Sequence, residues 1–188
     1  MATNQVLFIQ GGGEGAHAAD APLVESLRQA LGAGHEVHFA QMPDEGDPNV
    51  AAWKRKIAAE LRHLPGAVTL VAHSVGGSIL LKYLSEEPVQ ARIAGLFLLA
   101  APSWDGQRWA FDDLLLPSDL AEKLASIPRL FFYHCRDDEE VPFEHLALHG
   151  ARLPRAITRA FARGGHQFGN NLKAVAADIR AGADALET

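Results

Sequence analysis

The most informative stretch of the chain is Val68-Thr69-Leu70-Val71-Ala72-His73-Ser74-Val75-Gly76-Gly77. An apolar run typical of a buried strand leads, with no loop between, into a serine and then into a helix that opens with glycines. This pattern is that of a nucleophile elbow, a strained turn that presents the serine hydroxyl at the carboxyl edge of a sheet. Strand and helix approach closely there, so the residues two positions before and after the serine must be small, and they are Ala72 and Gly76. The alternative is that Ser74 only caps an ordinary helix.

Around this stretch, short apolar runs alternate with longer amphipathic ones along the whole chain. The alternation predicts an α/β fold: a three-layer α/β/α sandwich whose six-stranded, mostly parallel sheet has the strand order 2-1-3-4-5-6. The amphipathic runs predict a first helix that Asp20 caps and Gly32 ends, and a last helix from Asn170 to about Leu186. The predicted strands are Val6–Gln10, His35–Ala40, Ala67–Ala72, Ile93–Ala100, Arg129–Cys135 and Ala156–Phe161.

Length and composition limit the classes of protein to consider. The 188 residues predict one domain spanning 1–188, and the net charge of -6 argues against nucleic acid or a membrane as a partner. The single cysteine, Cys135, excludes an intramolecular disulfide. His145 and His149 lie four residues apart on a predicted helix but lack the HExxH order, so we expect surface histidines and no metal. The N-terminus shows no secretory signal and no apolar run is long enough to cross a bilayer, so we expect a cytoplasmic protein.

One segment, at about 102–127, departs from the alternation of strand and helix. It contains Trp104, Trp109 and Phe111 and is too irregular for a plain crossover helix. Aromatic-rich excursions from the carboxyl end of a strand contact ligands in open α/β sheets, so we predict a small lid with these three residues as an apolar substrate pocket. The alternative is a hydrophobic flap that completes the core.

Two later loops carry the groups that a nucleophilic serine requires. A serine hydroxyl needs an adjacent base, and that base needs a carboxylate to hold its tautomer. Asp137 and Asp138 follow the fifth predicted strand, and His166 follows the sixth on a glycine-bent loop. Parallel strands bring these loops to one edge, so we predict a triad of Ser74, His166 and one of the two aspartates. The alternatives are a solvent-exposed loop histidine and acidic residues that only cap a helix or sit in water.

The same chemistry requires donors for the oxyanion of the transition state. The backbone N–H of Val75, directly after the serine, is the first predicted donor. The glycine-rich loop 10–15 follows the first strand, where its backbone can approach a substrate oxygen, and Gly12 is the predicted second donor. The alternative is that this loop is only a flexible turn.

These motifs resemble those of small single-domain α/β-hydrolases, the compact serine hydrolase family that includes the retinoblastoma-binding serine hydrolase. The resemblance spans nearly the whole chain and rests on Ala72-His73-Ser74, on Asp137-Asp138 with Pro142, and on Gly165-His166. It implies a minimal α/β-hydrolase fold with an open site, and it makes the second aspartate, Asp138, the catalytic one. The sequence departs from the family pattern with Ala72 in place of the commoner glycine, and with Gln10 where larger relatives often have histidine.

We therefore expect a carboxylesterase-like serine hydrolase that cleaves small, apolar esters or thioesters through an acyl-enzyme, needs no cofactor, and exists as a monomer or homodimer. One alternative is a catalytically silent hydrolase fold that serves as a protein-binding module. The other is a dinucleotide-binding oxidoreductase, because Gly13-x-Gly15-x-x-Ala18 matches a loose fingerprint. Against it, the predicted helix begins too late, at Asp20, and no acidic residue ends the second strand.

Overall fold

A computed structural model of the chain describes residues 3–104 and 111–183. Its strands are β1 (Asn4–Ile9), β2 (His35–His38), β3 (Ala67–His73), β4 (Arg92–Leu99), β5 (Leu130–Cys135) and β6 (Ile157–Phe161). They form one sheet in the order β2-β1-β3-β4-β5-β6, and every neighbouring pair is parallel. The strand order that the sequence predicts is therefore confirmed.

Helices connect these strands and cover the sheet. They are α1 (Ala16–Leu31), α2 (Val50–His63), α3 (Ser74–Glu86), α4 (Leu120–Lys123), α5 (His145–Arg152) and α6 (Lys173–Ala183), with short 3-10 turns at Asp112–Leu114 and Phe168–Asn170. No helix in the described ranges combines the length and the apolarity that a bilayer crossing requires.

The side chains of β1 show how the sequence builds the layers. Val6 and Phe8 belong to the core shared with α1 and α6, whereas Leu7 and Ile9 belong to the core shared with α2 and α3. All four are fully buried. Neighbouring side chains in a strand point to opposite faces, so a continuous apolar run suits a strand that helices cover on both sides. The result is the three-layer α/β/α sandwich.

The first helix begins earlier than the sequence analysis expects. It starts at Ala16, so Asp20 lies inside α1 and is not its cap. Asp20 is only 1% exposed and shares the buried face of the helix with Leu23 and Leu27. The apolar spacing that identifies this helix fits equally well if the helix starts a turn earlier. Asp20 is instead held by residues that are remote in the chain.

The segment 102–127 is divided between core and cavity. Leu114, Leu120, Leu124 and Ile127 are buried in the core on the α2 and α3 face of the sheet. Trp104 is half-buried against the same core. The second half of the segment therefore completes the core, as the flap alternative expects of it.

The expectation that His145 and His149 are surface residues is wrong, since both are almost fully buried. His145 Nδ1 accepts a hydrogen bond from the backbone N–H of Ser103 at 2.7 Å, and His149 Nε2 donates to the carbonyl of Ala101 at 2.9 Å. Burial lowers the pKa of His149 to about 4. The backbone that follows β4 supplies these polar partners, and the spacing of the two histidines within α5 does not reveal it.

Candidate active site

Ser74 lies at the junction of β3 and α3 in a strained backbone conformation. Its φ is 53°, in the left-handed region that residues other than glycine rarely adopt. A Cβ atom on Gly76 would lie 2.0 Å from the carbonyl oxygen of Gln10, so only glycine fits where α3 passes the end of β1. On the other side of the turn, Ala72 is fully buried. This is the tight strand-to-helix turn that the sequence predicts.

The turn opens into a cavity of about 470 Å³ at the carboxyl edge of the sheet. Ser74 lines this cavity together with the glycine loop after β1, Trp104 after β4 and His166 after β6. Neither Ser74 Oγ nor His166 Nε2 makes a hydrogen bond to another described residue. Ser74 and His166 therefore line the same cavity, and neither this hydroxyl nor this imidazole nitrogen has a hydrogen-bond partner among the described residues. Hydrogen bonds between catalytic groups are often long before substrate binds.

His166 is held at three points. Its ring Nδ1 lies 3.0 Å from Asp138 Oδ2 and 3.1 Å from Asp138 Oδ1. Its backbone N–H donates to Glu139 Oε2 at 3.1 Å, and its carbonyl accepts a hydrogen bond from His73 Nε2 at 3.0 Å. Because Asp138 accepts at Nδ1, the neutral ring carries its proton there and leaves the lone pair of Nε2 available.

Asp138 has a fully buried side chain. Its Oδ1 accepts the backbone N–H groups of Glu140 and Val141 at 2.9 and 2.8 Å, and its Oδ2 lies 3.2 Å from His134 Nε2. Burial by itself would raise the pKa of Asp138, but hydrogen bonds from His134, His166 and Val141 hold the pKa well below its ordinary value. Asp138 is therefore ionised at neutral pH, as a group that orients an imidazole must be.

Asp137 makes different contacts from its neighbour. Its two carboxylate oxygens accept the N–H groups of Gly164 and Gly165 at 3.2 and 2.9 Å. These glycines have φ values of 145° and 59°, so the turn before His166 depends on their freedom from a side chain. Hydrogen bonds from the two glycines lower the pKa of Asp137, although burial opposes the shift. Of the two aspartates, Asp138 contacts the imidazole and Asp137 closes the turn.

Two backbone N–H groups beside Ser74 have no partner among the described residues. In the loop after β1, Gly11 donates to Asp20 Oδ2 at 2.7 Å and Gly13 donates to a backbone carbonyl at 2.6 Å, which leaves the N–H of Gly12. The N–H of Val75, in the first turn of α3, is also unpaired within the described ranges. A Cβ atom on Gly12 would lie 2.5 Å from Val75 Cγ1, so the two residues are in contact. Gly12 and Val75 therefore lie side by side, each with a backbone N–H group that no described residue accepts.

The connection between β2 and α2 forms a wall beside the glycine loop. The buried side chain of Gln10 accepts from the N–H of Met42 at 2.9 Å and donates to Glu45 Oε2 at 2.6 Å. Glu45 Oε2 also accepts the N–H of His17 at 2.8 Å, and the carbonyl of Glu45 accepts the N–H of Gly13. Gln10, the departure from the family pattern, thus links the connection between β2 and α2 to the glycine loop after β1.

A buried pair behind the site is not apparent from the sequence pattern that identifies Ser74 and His166. His73 Nδ1 lies 2.8 Å from Asp20 Oδ1, and both side chains are at most 2% exposed. A usable signal for Asp20 exists, because it shares an i, i+3 and i+7 spacing with the buried Leu23 and Leu27. For His73 the only signal is its place directly before the serine.

Of the predicted pocket residues, Trp104 lines the cavity. Phe111 does not line it: its side chain is 45% exposed and its ring centroid lies 6.1 Å from that of Trp104. The chain turns there into Asp112–Leu114, which buries Leu114 and leaves Phe111 on the outside. Trp109 lies outside the described residues.

The cavity rim is acidic. Glu14, Glu139 and Glu140 line it, and none of its described lining residues is a lysine or an arginine. No group of three or more His, Cys, Asp or Glu side chains in residues 3–104 and 111–183 is arranged to hold a metal ion.

Helix α1 does not begin too late for the dinucleotide fingerprint, contrary to the expectation from the sequence. Helix α1 begins at Ala16, so Ala18 does lie in its first turn, as the fingerprint requires. The glycine loop is nevertheless unsuited to a pyrophosphate, because Gly11 and Gly13 already donate their N–H groups within the protein.

Comparisons with known proteins agree with this architecture. A family model described as serine hydrolase matches residues 24–167. A search of curated protein sequences found no significant match. Among solved structures, the ydeN gene product from B. subtilis is 21% identical with a TM-score of 0.76, covering 97% of this chain and 100% of its own.

Two further solved structures are similar across almost the full chain. A serine hydrolase involved in carbazole degradation, the CarC enzyme, is 14% identical with a TM-score of 0.70, covering 98% of this chain and 92% of its own. Est1E from Butyrivibrio proteoclasticus is 16% identical with a TM-score of 0.68, covering 98% of this chain and 88% of its own. At these identities the likeness establishes a shared fold.

Proposed function

Because the chain belongs to the serine hydrolase family, we propose that it hydrolyses carboxylic esters or thioesters of small, apolar substrates through an acyl-enzyme on Ser74. The observation that carries the proposal is the cavity that Ser74 and His166 share. Ser74 has the strained φ of an elbow, and the His166 ring is oriented by Asp138. A serine that only caps a helix would need neither feature.

Each group has a role in the proposed reaction. His166 Nε2 takes the proton of Ser74 as the hydroxyl attacks the substrate carbonyl, and Asp138 stabilises the resulting imidazolium. The N–H groups of Gly12 and Val75 donate to the oxyanion. Collapse of the tetrahedral intermediate expels the alcohol or thiol, which takes the proton from His166, and water then releases the acid by the same steps in reverse.

The cavity supports a small, uncharged substrate over an anionic one. Trp104 gives it an apolar wall, whereas Glu14, Glu139 and Glu140 place negative charge at its rim. We expect p-nitrophenyl acetate to be hydrolysed faster than an ester whose acyl chain ends in a carboxylate. We also expect Trp104→Ala to flatten the dependence of kcat/KM on acyl length, and an unchanged dependence would contradict the role given to Trp104.

The direct test is labelling with a fluorophosphonate, which reacts with an activated serine whatever the natural substrate is. Mass spectrometry should locate the label on Ser74 in the parent, and Ser74→Ala and His166→Ala should remove it. Ser85→Ala is the matched control, because this serine lies later in α3 and its hydroxyl donates only to the carbonyl of Lys82. A folded parent that is not labelled would contradict the proposal and favour the protein-binding alternative.

The proposal includes a cytoplasmic location and a monomeric or homodimeric state, with a small molecule as the only partner. The buried free thiol of Cys135 supports a reducing compartment. Fractionation of expressing cells and sedimentation velocity would test these two points.

A further inference from the structure

Behind the catalytic histidine lies a second pair of a carboxylate and an imidazole. His73 directly precedes Ser74, and its ring lies 4.6 Å from the His166 ring, measured between centroids. Asp20, from the second turn of α1, accepts from His73 Nδ1 at 2.8 Å. The mechanism proposed above uses neither residue.

The hydrogen-bond partners determine the protonation of this pair. Asp20 Oδ1 also accepts from the side-chain amide of Gln167 at 3.2 Å, and Asp20 Oδ2 accepts the N–H of Gly11 at 2.7 Å. All of these partners are donors, so Asp20 is a carboxylate and the Nδ1 of His73 carries a proton. The Nε2 of His73 faces the carbonyl oxygen of His166, which can only accept. Both ring nitrogens of His73 therefore face acceptors, and the side chains of His73 and Asp20 are at most 2% exposed.

The electrostatics of Asp20 agree with this assignment. Burial by itself would raise the pKa of Asp20, but the hydrogen bond and the charge of His73, with the bonds from Gly11 and Gln167, hold it below its ordinary value.

The pair joins three parts of the candidate site that are far apart in the sequence. Through Gly11 it holds the loop that carries the N–H of Gly12, and through the carbonyl of His166 it holds the histidine loop. His73 itself belongs to the elbow. We propose that Asp20 and His73 are positioning residues, which fix the distances from Ser74 to His166 and to the oxyanion donors.

This inference rests on the proposed function, because it assigns the pair an effect on the reactivity of Ser74. Misplacing a catalytic group by about 1 Å costs up to about a hundredfold in rate. The histidine loop has two other anchors, Asp138 and Glu139, so loss of the His73 bond should displace His166 without unfolding the loop.

Two substitutions of His73 separate positioning from simple stability. The amide nitrogen of His73→Gln can occupy the place of Nε2 and still donate to the carbonyl of His166. The shorter His73→Asn can occupy the place of Nδ1, and it loses that bond. Asp20→Asn removes the carboxylate, and the double variant Asp20→Asn with His73→Gln avoids leaving one buried charge unpaired. Tyr133→Phe is the control, because it removes a 2.8 Å hydrogen bond to Asp178 and neither residue lines the cavity.

The readouts are the rate constant for fluorophosphonate labelling of Ser74, kcat and KM for p-nitrophenyl acetate, and the thermal unfolding midpoint. We expect His73→Asn and Asp20→Asn to lower the labelling rate and kcat by about tenfold to a hundredfold with KM within about twofold. We expect His73→Gln to restore the rate to within about threefold of the parent. Tyr133→Phe should lower only the unfolding midpoint.

Equal labelling rates for His73→Gln and His73→Asn would overturn the positioning role. Losses of activity no larger than the fraction of unfolded protein in each variant would overturn it too. A labelled parent with unaffected variants would overturn this inference alone. A folded parent without label at Ser74 would overturn the proposed function and this inference together.

Discussion

Replacing Asp138 with asparagine tests the charge and the tautomer of the site in one step. The amide oxygen of Asp138→Asn can still accept the two backbone N–H groups that Oδ1 accepts now. Its amide nitrogen then takes the place of Oδ2 and faces His166 Nδ1 at 3.0 Å and His134 Nε2 at 3.2 Å. Two donors cannot bond to each other, and the remaining oxygen, 3.1 Å from Nδ1, already accepts two backbone N–H groups, so His166 is driven to move its ring proton to Nε2. In that tautomer it cannot accept the proton of Ser74.

The expected loss is large. In the best-studied Ser-His-Asp triad the equivalent change lowers kcat by about 10⁴, which corresponds to about 5 kcal/mol of transition-state stabilisation. We expect kcat/KM of Asp138→Asn to fall by about 10³ to 10⁴ here. Asp137→Asn is the matched control, because the solvent-facing Asp137 holds only the Gly164 and Gly165 N–H groups and the amide oxygen can keep at least one of them. Its loss should stay below about tenfold.

The assay is hydrolysis of p-nitrophenyl acetate at about pH 8, with fluorophosphonate labelling as a second measure. Circular dichroism and thermal unfolding establish that both variants are folded. An Asp138→Asn variant within tenfold of the parent would refute the tautomer argument. Equal losses in the Asp137→Asn and Asp138→Asn variants would refute the assignment of the acid.

Three further predictions concern packing, thiol reactivity and pH. Gly76→Ala should destabilise the protein by about 3 kcal/mol or more, because its methyl group would lie 2.0 Å from the carbonyl oxygen of Gln10. Gly150→Ala, in α5, should be neutral or stabilising in the same thermal unfolding assay, because its methyl group would meet Thr158 Cγ2 at an ordinary contact distance of 3.5 Å. Burial, together with the negative charges nearby, raises the pKa of Cys135 to about 12. Iodoacetamide at about pH 8 should therefore leave Cys135 unmodified until the protein is unfolded. Rapid labelling of the native protein would contradict this. Because the pKa of Asp138 is lower in the folded than in the unfolded protein, its carboxylate stabilises the fold at pH values above the ordinary aspartate pKa, and this stabilisation is lost as pH falls towards the folded pKa. The difference in unfolding free energy between the parent and Asp138→Asn should therefore be constant above about pH 5 and shrink below about pH 4. A decline already above pH 5 in denaturant titrations would contradict this.

The sheet and the elbow could be predicted from the sequence because their signals are local. The strands show as contiguous apolar runs, and all six predicted strands overlap the observed ones. The elbow shows as a strand, a serine and a glycine within ten residues. The start of α1 could not be predicted in the same way. Aspartate is common at helix N-caps, so the sequence favours a helix that begins at Asp20. Only the contacts of Asp20 with His73 and Gly11 explain why its carboxylate lies inside the helix.

In the candidate site, too, some residues have a local sequence signal and others do not. Ser74 and His166 stand out because each follows a strand in a turn of special composition, and Gly12 because it follows β1 in a run of glycines. The segment 102–127 was harder to interpret. Its aromatic residues suggest a ligand pocket, yet Phe111 lies outside the cavity lining and the leucines that follow it fill the core.

The sequence by itself determined the α/β alternation, the parallel strand order and the strained serine turn, because periodicity and turn chemistry depend on residues that are neighbours in the chain. Only the tertiary structure decided which aspartate meets His166, which glycine N–H remains unpaired beside Val75, and that Asp20 reaches His73 across 53 positions. These are choices of hydrogen-bond partner between remote segments. They become definite only when the sheet brings the loops to one edge and burial obliges each polar group to find a partner.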